Sequence, residues 1–280
     1  MNKIKKKNLD NQQYIEFKER IKNLGLKINY VNWLIGFSEG DGSFVLGNDP
    51  KRPPHFEITQ NLRDIGLLYE IRTTIGYGSI IKREEAHRRV AVYQLMANKE
   101  GLKKIIKIFN GGIRLPHKLE RLKLFVEAYN CFYHDENIEV INTLCPITLQ
   151  DSWLAGFTDS DGSLQVRIKK CKTSKIGYSV NSRIAWSQKN QESLELIKSS
   201  LGLKVNISYD KSWDGYRLQN ENMGKNQILI TYLNSFPFKT KKILEYRYWC
   251  KIIEIKTQGL TNERLQLIED LIKSFRQKRL

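Results

Sequence analysis

The sequence predicts an α+β protein made of two pseudo-symmetric αββαββα repeats, and three paired segments predict it. WLIGFSEGDGSF at 33–44 returns as WLAGFTDSDGSL at 153–164, with seven of twelve letters identical and Asp41 and Asp161 in register 120 residues apart. HFEITQNLRDIGLLYEIRTTIGYGSI at 55–80 matches RIAWSQKNQESLELIKSSLGLKVNI at 183–207. Each is an alternating run that ends in Thr/Ser-Gln, then a helical pattern, then a glycine turn into a strand. LPHKLERLKLFVEAYNCF at 115–132 pairs with FKTKKILEYRYWCKIIEI at 238–255. Similarity kept along so much of the chain marks a duplicated unit.

The elements follow in order from periodicity and punctuation. In the first copy a motif helix at 33–42 is followed by strands at 43–49 and 54–61 and a helix at 62–74. Strands at 78–84 and 89–97 and helices at 98–109 and 116–133 complete it. In the second copy the strands are 163–170, 178–188, 204–210 and 216–222, and the helices after the motif are 190–201, 225–235 and 239–256. The predicted domains are a basic arm with a helix (1–30), the first repeat (31–133), a linker (134–150), the second repeat (151–256) and a closing helix (257–280).

The motif helices carry the chemistry. Leu34, Gly36, Phe37 and Gly40 lie near one stripe of the first, and Leu154, Gly156, Phe157 and Ser160 repeat that register. Small residues four apart let two helix backbones approach closely, because no Cβ intervenes. The two helices are therefore expected to pack on each other and to bring their C-terminal ends together. Asp41 and Asp161, each just before the glycine that ends its helix, become neighbours. A carboxylate at a helix C-terminus faces the negative end of the dipole. A divalent cation offsets that cost, and Mg²⁺ takes carboxylate, carbonyl and water oxygens. The hydroxyls of Ser38 and Thr158 are expected to bond back to the preceding turn. Glu39 and Asp159 are expected to hold the helices together.

Composition narrows the partner. Lys and Arg number 47 against 30 Asp and Glu, a net charge of +17, which favours nucleic acid or an acidic membrane surface. No apolar run approaches the ~20 residues that cross a bilayer. The N-terminal MNKIKKKNLDNQQ lacks the apolar core of a secretory signal and reads as a basic arm. The four cysteines show no metal or disulfide spacing and read as reduced, partly buried thiols. The four histidines share no spacing and read as surface residues.

LIGFSEGDG at 34–42 and LAGFTDSDG at 154–162 resemble the LAGLIDADG homing endonucleases in their single-chain, two-motif form, over about 31–255 of the chain. The resemblance implies motif helices at the interface and antiparallel sheets laid as a saddle on double-stranded DNA. It implies metal-dependent cutting of both strands of a long, asymmetric site, with Mg²⁺ or another divalent cation as cofactor. It makes Asp41 and Asp161 the catalytic metal ligands, and adds the backbone carbonyls of Gly40 and Ser160. Gln60 and Gln188 would position hydrolytic water. A basic residue before the last helix matches Lys239 in the second copy. In the first, Arg114 and Lys118 both stand as candidates. A monomer, intron-encoded and of organellar (mitochondrial) origin, is the family expectation.

Alternation then assigns the DNA-facing side of each sheet. Leu164, Val166 and Ile168 face the helices, which turns Ser163, Gln165, Arg167 and Lys169 outward, with Asn181, Arg183 and Ser187 beside them. Arg, Gln and Asn are the side chains that read base edges in the major groove. The first copy turns out Ser43, Val45, Gly47, Glu57 and Thr59, a less basic set, with Phe44, Leu46, Phe56 and Ile58 inward. Lys51, Arg52, Lys82 and Arg83 supplement it from turn regions. The alternative function is an intron-RNA maturase, for which the same basic charge would serve RNA. A DNA-binding protein without catalysis is the third reading.

Overall fold

Apolar residues at alternate positions, broken by asparagine caps and glycine turns, set the elements. The computed structural model describes residues 11–47, 52–85 and 88–277. The chain divides into two units that part between Asp161 and Gly162.

The first unit opens with α1 (Asn11–Asn23) and α2 (Ile28–Asp41), and α2 runs directly into β1 (Gly42–Val45). Then come β2 (His55–Asn61), a single 3-10 turn (Leu62–Asp64), α3 (Ile65–Ile75), β3 (Ser79–Glu85) and β4 (Arg88–Leu95). The unit continues with α4 (Lys99–Phe109) and α5 (Pro116–Phe132), and α6 (Trp153–Asp161) closes it. The sheet is antiparallel, ordered β1-β2-β4-β3. Phe44 and Phe56 point to its helix side and meet Phe109 of α4 at 5.1 and 5.3 Å between ring centroids. Phe125 of α5 lies 5.2 Å from Phe44. Asn98 caps α4 by accepting from Gly101 N at 2.7 Å. Asn110 ties the 134–150 segment down, donating to Glu139 O at 2.8 Å and accepting from Ile141 N at 2.7 Å.

The second unit repeats the order: β5 (Gly162–Lys170), β6 (Tyr178–Gln188), α7 (Gln191–Ser200), β7 (Ser208–Asp210), β8 (Gly215–Asn220), α8 (Met223–Ser235) and α9 (Lys242–Thr257). It adds α10 (Asn262–Gln277), and its sheet has the same order, β5-β6-β8-β7. Val166 and Ile168 pack on a core of Val180, Ile252, Ile255, Leu265 and Ile268, so β5, β6, α9 and α10 share it.

The expected elements form with shifted ends. The β7 strand is confined to Ser208–Asp210, because only those residues find partners on β8. The α9 helix starts three residues later than expected, after a turn in which Thr240 Oγ1 accepts from Lys242 N at 3.1 Å. Of the predicted first strand, 48 and 49 fall outside the described residues, as do the arm at 1–10, Lys51 and His87. Gly42 ends α2 in extended backbone, φ −91° and ψ 150°, not in a left-handed cap. Its glycine is required by packing, since a Cβ would stand 2.7 Å from Ser38 O.

Two side-chain expectations change as well. Thr158 Oγ1 bonds back to Leu154 O at 2.6 Å, whereas the buried Ser38 Oγ finds no partner among the described residues. His55 and His117 are half-buried rather than exposed. Burial and the neighbouring Lys118 hold His117 down at about 4, so it is neutral at physiological pH.

Candidate functional site

The site grows from the contact of α2 with α6. A Cβ on Gly36 would stand 2.0 Å from Trp153 O, and one on Gly156 would stand 2.0 Å from Trp33 O. Bare backbone is thus needed on both helices. Along each helix a tryptophan stacks on the phenylalanine one turn later, Trp33 on Phe37 at 4.7 Å and Trp153 on Phe157 at 5.2 Å. One turn on, a Cβ at Gly40 would meet Ser160 Oγ at 2.1 Å and Asp161 Cγ at 3.2 Å. The close approach therefore persists to the C-terminal ends, where Asp41 and Asp161 are half-buried.

Glu39 is buried beneath this junction. Its Oε1 accepts from Arg114 N at 3.0 Å and Leu115 N at 2.7 Å, and its Oε2 accepts from Trp153 Nε1 at 2.5 Å. One carboxylate thus joins α2, the start of α5 and α6. Burial pushes it up to about 7, against the pull of those donors and of Arg114. Asp159 is buried too.

The two first-copy candidates for the basic residue part company. Arg114 is buried, with Nη2 on Asp151 Oδ2 at 2.8 Å and Nη1 on Pro146 O at 2.8 Å, and its guanidinium lies 5.3 Å from the Trp153 ring centroid. That is an internal ion pair, held by hydrogen bonds on both sides. Lys118 instead reaches the motif end, where its Nζ donates to Gly42 O at 2.9 Å. Burial lowers its pKa, while the carboxylates of Glu39, Asp161 and Asp41 pull it up. Gln60, next to last in β2, donates from Nε2 to Asp41 Oδ2 at 2.6 Å. In the second unit Lys242 Nζ donates to Gly162 O at 2.6 Å, the same bond that Lys118 makes in the first. Lys239, the expected residue, is exposed in the turn before α9. Gln188 ends β6.

The donor set at the motif ends suits a hard cation: two half-exposed carboxylates, a neighbouring glycine with no side chain to block approach, and backbone carbonyls. Among the described residues no group of three or more His, Cys, Asp or Glu side chains forms a closed cage. Water or phosphate oxygens would have to complete the coordination.

Register places the outward faces. On β5 and β6, Gln165 lies opposite Arg183, Arg167 opposite Asn181, and Lys169 opposite Ser179, while Ser163 faces Ala185. Ser187 faces Arg217 of β8. In the first unit Ser43 faces Glu57, Val45 faces His55, and Thr59 faces Val92. Arg83 lies opposite Val90 and so shares that face. Lys82 pairs with Ala91 on the other face, and both lysine and arginine sit within β3 rather than in a turn. Sequence reasoning missed Gln94 opposite Glu57 and, on β8, Arg217 and Gln219. The signal was there in YRLQN, where buried Leu218 alternates with polar neighbours, but the short partner strand hid it.

The model of the LAGLIDADG endonuclease family matches residues 34–129 and 154–253, well over half of the chain. The chain belongs to the LAGLIDADG endonuclease family. Among relatives, it is 35% identical over 239 residues to probable intron-encoded endonuclease 4 of Neurospora crassa. That match covers 84% of this chain and 42% of the relative, so the chain spans less than half of that protein's length. It is 27% identical over 216 residues to the intron-encoded RNA maturase bI4 of Saccharomyces cerevisiae, covering 77% of this chain and 31% of the relative. Among solved structures, the LAGLIDADG meganuclease I-AabMI bound to uncleaved DNA superposes with a TM-score of 0.69 at 18% identity, over 86% of this chain and 97% of that one. At that identity the likeness establishes the LAGLIDADG fold. No described helix is long and apolar enough to cross a membrane.

Proposed function

We propose that this chain is a sequence-specific homing endonuclease that makes metal-dependent breaks in both strands of a long, asymmetric DNA site. The observation that carries the reading is the adjoining ends of α2 and α6, with Gln60 on Asp41 and Lys118 on Gly42 O. Asp41 and Asp161, with the carbonyls of Gly40 and Ser160, would hold Mg²⁺ or another divalent cation. Such a cation supplies a water of lowered pKa and neutralises charge at the scissile phosphate.

The chain's own groups divide the remaining work. Gln60 spends Nε2 on Asp41, so its Oε1 is left to accept a hydrogen bond from the attacking water and orient it. Gln188 has the same task by its place at the end of β6. Lys118 spends one N–H on Gly42 O and keeps two for the charge that develops on phosphate, in a half-buried place where such donors act strongly. Lys242 is its counterpart, in place of Lys239. On the outward faces, Ser163, Gln165, Arg167, Lys169, Asn181, Arg183 and Ser187 would read bases and grip phosphate. Ser43, Val45, Glu57, Thr59 and Arg83 would do so in the first unit, where Val92 and Val90 make the face more apolar. The protein would act as a monomer of organellar origin, and intron-encoded origin accords with the names of its relatives.

Selection of cleaved sites from a randomised DNA library with Mg²⁺, beside binding to structured intron RNA, tests the reading. Enrichment of one long site supports the endonuclease. Tight RNA binding with no enriched DNA site would replace it by the maturase that the bI4 relative represents.

A further inference from the structure

The residue just after β8 is an acid, on a face otherwise suited to a polyanion. Ile184 faces Asn220 in the β6–β8 register, so the next position sets Glu221 opposite Arg183 and on the same side of the sheet. Glu221 Oε1 accepts from Arg183 Nε at 2.8 Å and also from Arg183 Nη2. Its Oε2 accepts from Asn181 Nδ2 at 3.0 Å. The Arg183 guanidinium holds the Glu221 carboxyl below its usual range, with Asn181 and Lys169 adding to the pull. Three side chains thus form one hydrogen-bonded unit.

The backbone beneath Glu221 is fixed from the other face. Asn220 is buried and donates to Asn226 Oδ1 at 2.7 Å, and Asn226 donates in turn to Ser182 O at 3.1 Å. Asn222 caps α8 by accepting from Lys225 N at 3.0 Å. The residues on both sides of Glu221 are therefore tied to β6 or to α8.

A carboxylate here opposes the approach of phosphate, so it weakens binding to DNA of any sequence. What it contributes is order. Long polar side chains cost affinity when they are frozen on binding, and a chain frozen beforehand does not. The bonds also decide which atoms remain free. Arg183 keeps both N–H groups of Nη1 and one of Nη2, the end of the fork that pairs with guanine O6 and N7. Asn181 keeps Oδ1 and one N–H.

We propose that Glu221 is a specificity-determining residue: it holds Arg183 and Asn181 as one preordered reading unit and couples the base preferences they set. This rests on the outward face of β5–β6–β8 being the DNA-contacting face. The test is a set of binding profiles over every single-base variant of the selected site, for the intact protein, Glu221→Gln, Glu221→Ala, Arg183→Ala and the double variant Arg183→Ala/Glu221→Ala. Both Glu221 variants are expected to lose roughly tenfold in discrimination at the positions that Arg183→Ala relaxes. The double variant is expected to lose no more there than Arg183→Ala alone, as residues acting as a unit do. Affinity for unrelated DNA is expected to rise. Unchanged preference in the Glu221 variants, or losses that add in the double variant, would overturn the proposal while leaving the endonuclease reading intact. An intact protein that discriminates no bases would remove that reading, and the proposal with it.

Discussion

Gly36 and Trp153 meet main chain to main chain, and the contact is reciprocated one helix over by Gly156 and Trp33. A methyl group placed on either glycine would fall 2.0 Å from a carbonyl oxygen, well inside contact distance. Gly36→Ala and Gly156→Ala are therefore expected to force α2 and α6 apart, at about 1–3 kcal/mol each. Gly66→Ala in α3 is the control, since its Cβ would meet nothing within 4 Å. It is expected to stabilise by up to about 1 kcal/mol through helix propensity. Urea unfolding midpoints separate the two kinds of glycine, and equal midpoints for all three variants would contradict the packing account.

Asp41→Asn and Asp161→Asn keep the size of the side chain and remove its charge. Each is expected to abolish double-strand cleavage with Mg²⁺ while leaving binding to the selected site within a few-fold. Gel-shift and cleavage assays on one substrate give both readings. Near-full cutting by either variant would take that carboxylate out of catalysis.

Lys118 and Lys242 make the same bond to the residue that follows a motif aspartate, and each is expected to serve one cut. Lys118→Met and Lys242→Met are expected to slow one strand each by roughly 10²-fold, the scale of losing one donor to developing charge. Nicked circles should accumulate from a supercoiled plasmid carrying the site. Lys239→Met is expected to cut both strands at the normal rate. A slow strand in Lys239→Met with none in Lys242→Met would restore the assignment made from sequence alone.

The proposed exchange of Lys242 for Lys239 turns on structure that local sequence does not carry. The motif helices, the paired strands and the terminal glutamines rest on local periodicity, and helix spacing is enough to align Gly36 with Gly40 and to put Asp41 at the helix end. Which lysine of PFKTKK bonds to Gly162 O depends on where α9 begins, which a turn at Thr240 decides rather than any helix-breaking residue. Arg114 and Lys118 look equivalent in IRLPHKLE, yet one is buried against Asp151, 37 residues away, and the other reaches Gly42, 76 residues away. Glu221 lies 38 residues from Arg183, and only the β6–β8 register brings them together. Partners set by strand pairing and loop paths carry no short-range signal.

Glu39 gives the first unit a pH dependence of defined sign. An ordinary glutamate titrates near 4.5, and burial pushes this one up to about 7. Its folded form thus holds the proton more tightly than the unfolded chain does. The stability this adds is complete below about 4.5 and is lost as pH rises through about 7. Glu39→Gln cannot titrate, so the fall in melting temperature across that window is expected to shrink, although the variant is less stable throughout because Trp153 Nε1 loses an acceptor. The same slope in both proteins would assign the pH dependence to other groups.

The last prediction separates reading from gripping on the second sheet. Arg167 lies mid-strand on the outward face of β5, exposed and opposite Asn181, where a side chain on the proposed DNA-facing side would reach base edges rather than the backbone. Lys172 stands in the exposed turn after β5, beyond the sheet. Arg167→Ala is expected to relax base preference at one or two adjacent positions, at a cost of ~1–3 kcal/mol for the preferred base. Lys172→Ala is expected to weaken binding evenly across sequences and to make the salt dependence shallower by about one unit, as the loss of a single phosphate contact does. Affinities over single-base site variants at several salt concentrations measure both effects in one series. A uniform loss with a shallower salt slope for Arg167→Ala would show that this arginine holds phosphate, and that β5 runs along the backbone rather than in the groove.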